Sequence, residues 1–416
     1  MGNKKVIIIS QNFYPEIGSA ANRMKNLFQL LKIQGYEVTV LTTEPSYPYK
    51  KIYDQERFWN NDEMNTDDSI HRVMIKNRKY AISMLNRLLY YLEMAFKMLF
   101  YILKDKKKYD FVLVTSPPIF VGMVGLIAKI RYKSSLLLDI RDLWPESLKG
   151  VGILDNPLIF FIFNRIEQLL YKKADFIIVN SKGFEKHIQK RGKTPQDKIV
   201  FLPNAARQFE IKPFMSKKEF KVVYAGNLGL AQDVELIKNL ARKLKEHQIK
   251  LTIIGYGMKK NSLMEFVKTE KLNNVKFINP VTREKCLHII SEHSVGVVTL
   301  KDKEVFETVL PGKVIDYMTC MVPVVASVSG FTKQVIETEN VGLVSTSKSV
   351  DEMVQQILFL KDQESVRKEM EINCKQYIQS NFTWEKNIPL LTNVMESNSQ
   401  IQKAIYDIQE AKIKKL

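Results

Sequence analysis

The chain predicts an α/β fold made of two successive parallel-sheet domains, each Rossmann-like. Three observations carry this. The 416 residues exceed what one hydrophobic core usually serves. Short β-branched runs alternate with amphipathic helical stretches along nearly the whole chain, the pattern of βαβ units. The alternation stops at 204–219, NAARQFEIKPFMSKKE, and restarts after it. The expected division is a first domain over 1–204, a linker over 205–219 and a second domain over 220–380. C-terminal helices over 381–416 are expected to cross back to the first domain.

In the first half, Lys5–Ser10 reads as a strand and Gln11–Ser19 as a loop. A helix is predicted over 20–34, with Met24, Leu27, Phe28, Leu30 and Leu31 on one face, and a strand over 38–42. Residues 45–70 are polar and aromatic without clear period and read as an irregular excursion. A long helix follows over 81–104, then strand 110–115, helix 119–130 and strand 135–139. Helix 158–172 and strand 176–180 come next. Ser181 is placed to cap a further helix, and strand 199–203 closes the half.

After the linker come strand 221–225, helix 234–247, strand 250–255 and strand 275–279. Then follow helix 283–291, strand 295–300, a short helix opened by Pro311-Gly312-Lys313, and strand 323–326. Helices over 350–360 and 363–378, one capped by Thr383, and a charged helical tail over 401–416 complete the reading.

Composition narrows the class. The formal charge of +18 favours anionic partners, phosphorylated substrates and acidic lipids among them. Nucleic acid also fits that charge, but no helix-turn-helix, zinc or aromatic-platform motif accompanies it. Cys286, Cys320 and Cys374 lie far apart with no CxxC spacing, which argues against disulfide and metal frameworks. The five histidines show no ligand spacing. The apolar run near the N-terminus is too short for a signal peptide, and no segment reads as membrane-spanning.

The most informative segment is LPGKVIDYM at 310–318. A helix opening at the end of a strand-loop unit offers free N–H groups and the positive end of its dipole to an anion. Lys313 adds a cation, and Asp316 sits one turn further along the same face. Phosphates on the N–H groups and a ribose diol on the carboxylate would suit a nucleotide, with Gly312 permitting close approach. Lys313 and Asp316 are also ordinary residues for a solvated helix surface.

Other strand ends carry lesser signals. Gly226-Asn227-Leu228-Gly229 lets backbone approach a ligand, with Gln232 as a polar partner and Asp233 as a helix cap. Gly255-Tyr-Gly257 precedes Lys259, which reads either as a phosphate contact or as a surface charge. Glu16 and Gly18 lie in the loop after the first strand, where open α/β sheets bind ligands. Arg23 is one turn into the next helix and reads as an acceptor-side contact or an exposed charge. In DIRDLWPES, 139–147, Asp142 and Glu146 are candidates for a catalytic base, with Arg141 on the acceptor side. The same residues fit an internal ion-pair cluster.

Five pieces in order give a family resemblance over nearly the whole chain. They are the segment at 12–42, LLLDIRDLWPESLKGVGIL at 136–154, NSKGFEKHI with VFLPNAA at 180–206, VVYAGNLGLAQDVELI at 222–237, and the segment around Lys313. The chain resembles retaining glycosyltransferases of family 4 with the GT-B fold, two facing Rossmann-like domains across a deep cleft. The second and fourth pieces look most like the branch that builds bacterial capsule and O-antigen units.

The resemblance implies a UDP-linked sugar donor held by the C-terminal half and a lipid-pyrophosphate-linked saccharide acceptor held by the N-terminal half. It implies catalysis without a metal or other cofactor. Lys313 would stabilise the leaving nucleotide. Many members carry the glutamate pair E-x7-E. Here Asp316 stands at the second position and Thr308 at the first, with Glu307 beside it as the substitute for the sugar contact.

The helix at 81–104, AISMLNRLLYYLEMAFKMLFYILK, is more apolar than one buried face needs, and Lys106, Lys107 and Lys108 follow it. Residues 81–108 therefore suit an anionic membrane surface, although a core helix or an oligomer contact fits the same pattern. The expected protein is a cytoplasmic glycosyltransferase, peripheral on the inner face of the plasma membrane. A nucleotide-sugar epimerase on the same fold and a non-catalytic membrane-associated scaffold are the rival readings.

Overall fold

The computed structural model describes residues 3–76, 84–211 and 217–397. The expected start of the long helix at 81–83, part of the linker at 212–216 and the tail helix at 401–416 lie outside the described residues.

The N-terminal half builds a seven-stranded sheet from β1 (Lys5–Ile9), β2 (Glu37–Thr43), β3 (Ile70–Val73), β4 (Phe111–Ser116), β5 (Ser135–Ile140), β6 (Phe176–Val179) and β7 (Ile199–Phe201). The order is β3-β2-β1-β4-β5-β6-β7. The C-terminal half builds a six-stranded sheet from β8 (Lys221–Asn227), β9 (Lys250–Tyr256), β10 (Val275–Ile278), β11 (Val295–Thr299), β12 (Val324–Ser327) and β13 (Gly342–Val344), in the order β10-β9-β8-β11-β12-β13. Every pairing in both sheets is parallel, with Val6 opposite Phe111 and Val222 opposite Val295 at the centres. This is the two-domain Rossmann-like architecture of the GT-B fold.

Helices cover both faces of each sheet, so the central strands read as unbroken apolar runs rather than alternating ones. Every residue of β4, β5 and β11 is buried. Helix Val234–Glu246 shows how the rest follow. Asp233 caps it by accepting from the Leu236 N–H at 3.0 Å, and Ile237, Leu240, Ala241 and Leu244 make its buried stripe.

Three elements differ from expectation. The 45–70 excursion contains two 3-10 turns and a short helix and runs into the edge strand β3, whose four residues are all half-buried and so lack a strand's apolar signature. Pro311 is the N-cap of helix Gly312–Thr319 rather than its first residue. Ser181 caps a 3-10 turn at Lys182–Phe184.

Strand order reverses between β1 and β4 in one sheet and between β8 and β11 in the other. Loops leaving the C-terminal ends of strands at such switch points form crevices. Here the two crevices face each other. Tyr47 meets Tyr256 edge-on at 5.7 Å across them, and the Ser181 hydroxyl donates to the Thr308 carbonyl. Thr383 pairs with Ala206, residues 384–397 are helical, and Trp384 lies 5.6 Å from the Arg23 guanidinium.

Candidate active site

A cavity of about 690 Å³ opens between the two sheets. Its N-terminal wall is the loop 14–19 with Asn22, Lys25 and Asn26 of the next helix. Its C-terminal wall carries Gly226, Asn227, Gln232, Tyr256, Thr282, Arg283, Gly312, Lys313 and Asp316. Asn204, Arg207 and Glu210, from the segment joining the sheets, close one side.

Two glycines let the walls come this close. Gly226 has φ 133°, and a Cβ there would sit 3.6 Å from Lys313 Cε. Gly18 has φ 109°, and a Cβ there would stand 3.2 Å from the Tyr256 hydroxyl of the opposite domain. Both conformations favour glycine.

Lys313 lies in the first turn of helix Gly312–Thr319, with its ammonium 4.2 Å above the Tyr224 ring. Nζ donates to Gln232 Oε1 at 2.6 Å and to the Tyr224 hydroxyl at 2.8 Å. Among the described residues no carboxylate forms an ion pair with it, and burial brings its pKa down to about 7. A cation held at a helix N-terminus, with no counter-charge among the described residues, favours an anion.

One turn on, Asp316 Oδ1 accepts from Arg283 Nη1 at 2.8 Å. Burial pushes the Asp316 carboxyl up, and Arg283 pulls it back down. Glu210 takes the other side of the same guanidinium at 2.6 and 3.0 Å.

Of the residues singled out by sequence, the structure brings Glu16, Gly18, Gly226, Asn227, Gln232, Gly312, Lys313 and Asp316 onto this one cavity. Glu16 also has a structural task. Its buried carboxylate accepts from the Ser46 and Tyr47 N–H groups at 2.6 and 2.9 Å and from Asn12 at 2.6 Å, and burial raises its pKa to about 7.

Other expected residues lie off the cavity wall, and each has a physical reason. Arg23 is not the exposed charge that the sequence allowed, and it does not line the cavity. It is 1% exposed and grips Asp139, Nη2 to Oδ1 at 2.7 Å and Nε to both oxygens at 3.0 and 3.1 Å. Arg141 donates to Thr115 Oγ1 at 2.6 Å and to the Pro117 carbonyl. Glu146 pairs with Arg191 at 2.5 Å, and Arg191 in turn reaches Glu167, which His187 contacts at 3.1 Å. Asp142, at the same turn, is pushed up by burial and does not line the cavity. The dense charge of DIRDLWPES is therefore spent on internal contacts.

Gly229 packs against the Asn227 side chain, and Lys259 is exposed at the start of helix Lys260–Thr269. Glu307 is exposed at the end of helix Glu304–Glu307. Thr308 turns its hydroxyl to the Val305 carbonyl at 2.7 Å and gives its own carbonyl to Ser181. Neither faces the cavity.

Sequence reasoning missed Arg283, Glu210, Tyr256 and Lys25. Arg283 follows the end of β10, so the strand-end rule already pointed to it. Glu210 was hidden by the reading of its segment as a linker.

The fold and this site define a two-domain α/β protein with a polar cavity between two parallel sheets. Residues 18–205 match the glycosyl transferase 4-like domain, and residues 206–377 match the glycosyl transferases group 1 domain. The chain belongs to the group 1 glycosyltransferases and is a glycosyltransferase of EC class 2.4.

An uncharacterized glycosyltransferase of Methanocaldococcus jannaschii is 25% identical over 308 residues, 70% of this chain and 76% of that one. WcaI of Escherichia coli K12, described as a colanic acid biosynthesis glycosyl transferase, is 21% identical over 392 residues, 88% of this chain and 95% of that one. Among solved structures, HepE of Anabaena in complex with UDP-glucose superposes with a TM-score of 0.67 at 13% identity, covering 95% of this chain and 99% of that one.

Proposed function

We propose that the protein moves a sugar from a nucleotide-diphosphate donor, a UDP-sugar first among candidates, to a lipid-linked saccharide, with retention at the anomeric carbon. The single observation that carries this is Lys313: a cation set into the cavity wall at a helix N-terminus, with no carboxylate paired to it among the described residues. Such a group is built to meet charge that arrives with the ligand and grows as the leaving group departs. Asp316, one turn away, accepts from the ribose hydroxyls. That HepE binds UDP-glucose and that WcaI is described for colanic acid biosynthesis both support a nucleotide sugar and a cell-surface polysaccharide of the capsule or O-antigen kind.

In this reading the bond from the anomeric carbon to the diphosphate oxygen breaks. Lys313 and the amides of residues 312–313 take the developing charge. The acceptor oxygen attacks from the same face and passes its proton to the departing phosphate. The charge falls on the protein's own cation, so the reaction is expected to proceed in EDTA.

The acceptor reading places the protein on the cytoplasmic face of a membrane. Helix Met84–Lys104 buries Tyr90, Met94, Met98 and Ile102 on one side. On another it exposes Leu89, Leu92, Phe96, Phe100 and Leu103, with Phe96 70% exposed. A helix apolar on two sides has a second partner to cover it. Lys104 lies 4.2 Å from the Phe100 ring, and exposed Lys106, Lys107 and Lys108 follow, so an anionic bilayer suits this face. Among the described residues no helix is long and apolar enough to cross a membrane.

The test is to incubate the protein with UDP-, GDP- and ADP-sugars and a polyprenyl-pyrophosphate-linked saccharide, in EDTA. Acceptor-dependent release of one nucleoside diphosphate, abolished by Lys313→Met, is expected. A folded protein that consumes no donor contradicts the proposal.

A further inference from the structure

Arg283 opens helix Arg283–Ser291, just beyond the end of β10, and bridges two carboxylates on the cavity wall. Nη1 donates to Asp316 Oδ1 at 2.8 Å. Nε and Nη2 donate to the two oxygens of Glu210 at 2.6 and 3.0 Å, a forked pair. Glu210 belongs to the segment joining the two sheets, and its Oε2 also accepts the Arg207 N–H at 3.0 Å. Arg207 extends the chain to Glu385 at 2.7 Å, on the helix that returns to the N-terminal half. Asp316 is thus held by one oxygen. Among the described residues no donor reaches its Oδ2.

We propose that Arg283 is a positioning residue of the nucleotide site: it holds Asp316 as an oriented carboxylate for the ribose hydroxyls, and Glu210 holds Arg283, so that the segment joining the two sheets sets the ribose contact. The proposal rests on the donor-site reading above.

The surroundings of Asp316 favour this role. Cys286 from the same helix as Arg283 is pushed up to about 12 by burial. Tyr256 of β9, Tyr317 of its own helix and Cys320 just past that helix are pushed up likewise, and all stay neutral. Glu210 is the second anion facing it, and Arg283 is the cation. Lys25, from the N-terminal half, acts on Glu210 and Arg283 and not on Asp316 directly. Without the guanidinium, a half-buried carboxylate beside a like charge takes up a proton more readily and loses the capacity to accept two hydroxyls.

The experiment is calorimetric titration of UDP, GDP and ADP into the wild type, Arg283→Gln, Arg283→Lys, Asp316→Ala and the Arg283→Gln/Asp316→Ala double variant, at several pH values between about 5.5 and 8. Arg283→Gln is expected to weaken binding about tenfold, the worth of one charge-assisted hydrogen bond, and Arg283→Lys by less. The ratio of wild-type to Arg283→Gln affinity is expected to widen as pH falls. The double variant is expected to bind like Asp316→Ala alone.

A ratio that stays flat with pH overturns the proposal. So does a double variant weaker than Asp316→Ala, because Arg283 then touches the ligand itself. If Arg283→Gln does not fold, Arg283→Lys decides: wild-type affinity in that variant overturns the proposal. Loss of binding in Asp316→Ala with none in Arg283→Gln defeats the proposal alone. No binding of any nucleotide to the folded wild type defeats the donor reading with it.

Discussion

Two charged regions of this molecule contrast in how one key cation is used. Around β5 and its following turn, Arg23 grips Asp139, Arg141 binds backbone and Thr115, and Glu146, Arg191, Glu167 and His187 satisfy one another. Around helix Gly312–Thr319, Lys313 faces a cavity with only neutral partners. The first arrangement fixes a structure; the second leaves a cation on a cavity wall, open to the proposed anion. Charge density in the sequence does not separate the two. What separates them is whether the fold supplies the counter-charge or leaves room for it.

The largest effect that tests this contrast concerns stability. Breaking the fully buried pair with Arg23→Met leaves Asp139 without its hydrogen-bonded partner, with only the Arg141 charge nearby, and chemical denaturation should show a loss of about 3–5 kcal/mol. The Arg23→Met/Asp139→Leu double variant should recover most of it, since two apolar groups need no partner. Recovery of nothing would mean that the pair serves more than its own charges.

Next comes the ribose carboxylate. Asp316→Ala should weaken nucleotide binding by about tenfold or more, with the melting temperature little changed, as read by calorimetry and thermal melts.

Lys313 adds a pH dependence. Its pKa of about 7 in the free protein rises when a diphosphate binds, so binding takes up a proton. Affinity should fall as pH rises past about 7, and titrations in buffers of different ionisation heat should show the uptake. Lys313→Met should remove that slope.

The smallest effect is expected from Glu146→Gln. It weakens an internal pair by about 1 kcal/mol and should leave turnover within about tenfold of wild type. A loss of several orders of magnitude would return Glu146 to the chemistry.

Much of this was legible in the sequence. The βαβ alternation and the restart after 204–219 gave both sheets, because buried parallel strands are continuous apolar runs that stand out. Strands β3 and β13 escaped, the first for want of buried residues and the second because three residues carry no period. At the site, residues that act through backbone geometry or local position were readable: Gly18, Gly226, Lys313 and Asp316 follow from strand ends and a helix start. Arg283 and Glu210 meet across 73 residues, and no local pattern announces such a pair. The internal contacts of DIRDLWPES were hidden for the same reason: its partners Arg191 and Arg23, and Glu167 beyond them, lie far off in sequence.

The measurement that tests the central claim most directly is the heat of binding of UDP, GDP and ADP to the wild type and to Lys313→Met, in EDTA at a pH near 7, where free Lys313 is only part charged and can take up a proton on binding. The account predicts that one nucleotide binds the wild type selectively, with proton uptake, and that Lys313→Met loses both the affinity and the uptake. Equal binding to the two proteins would contradict it, because the unpaired cation in the cavity would then not be the group that meets the phosphates.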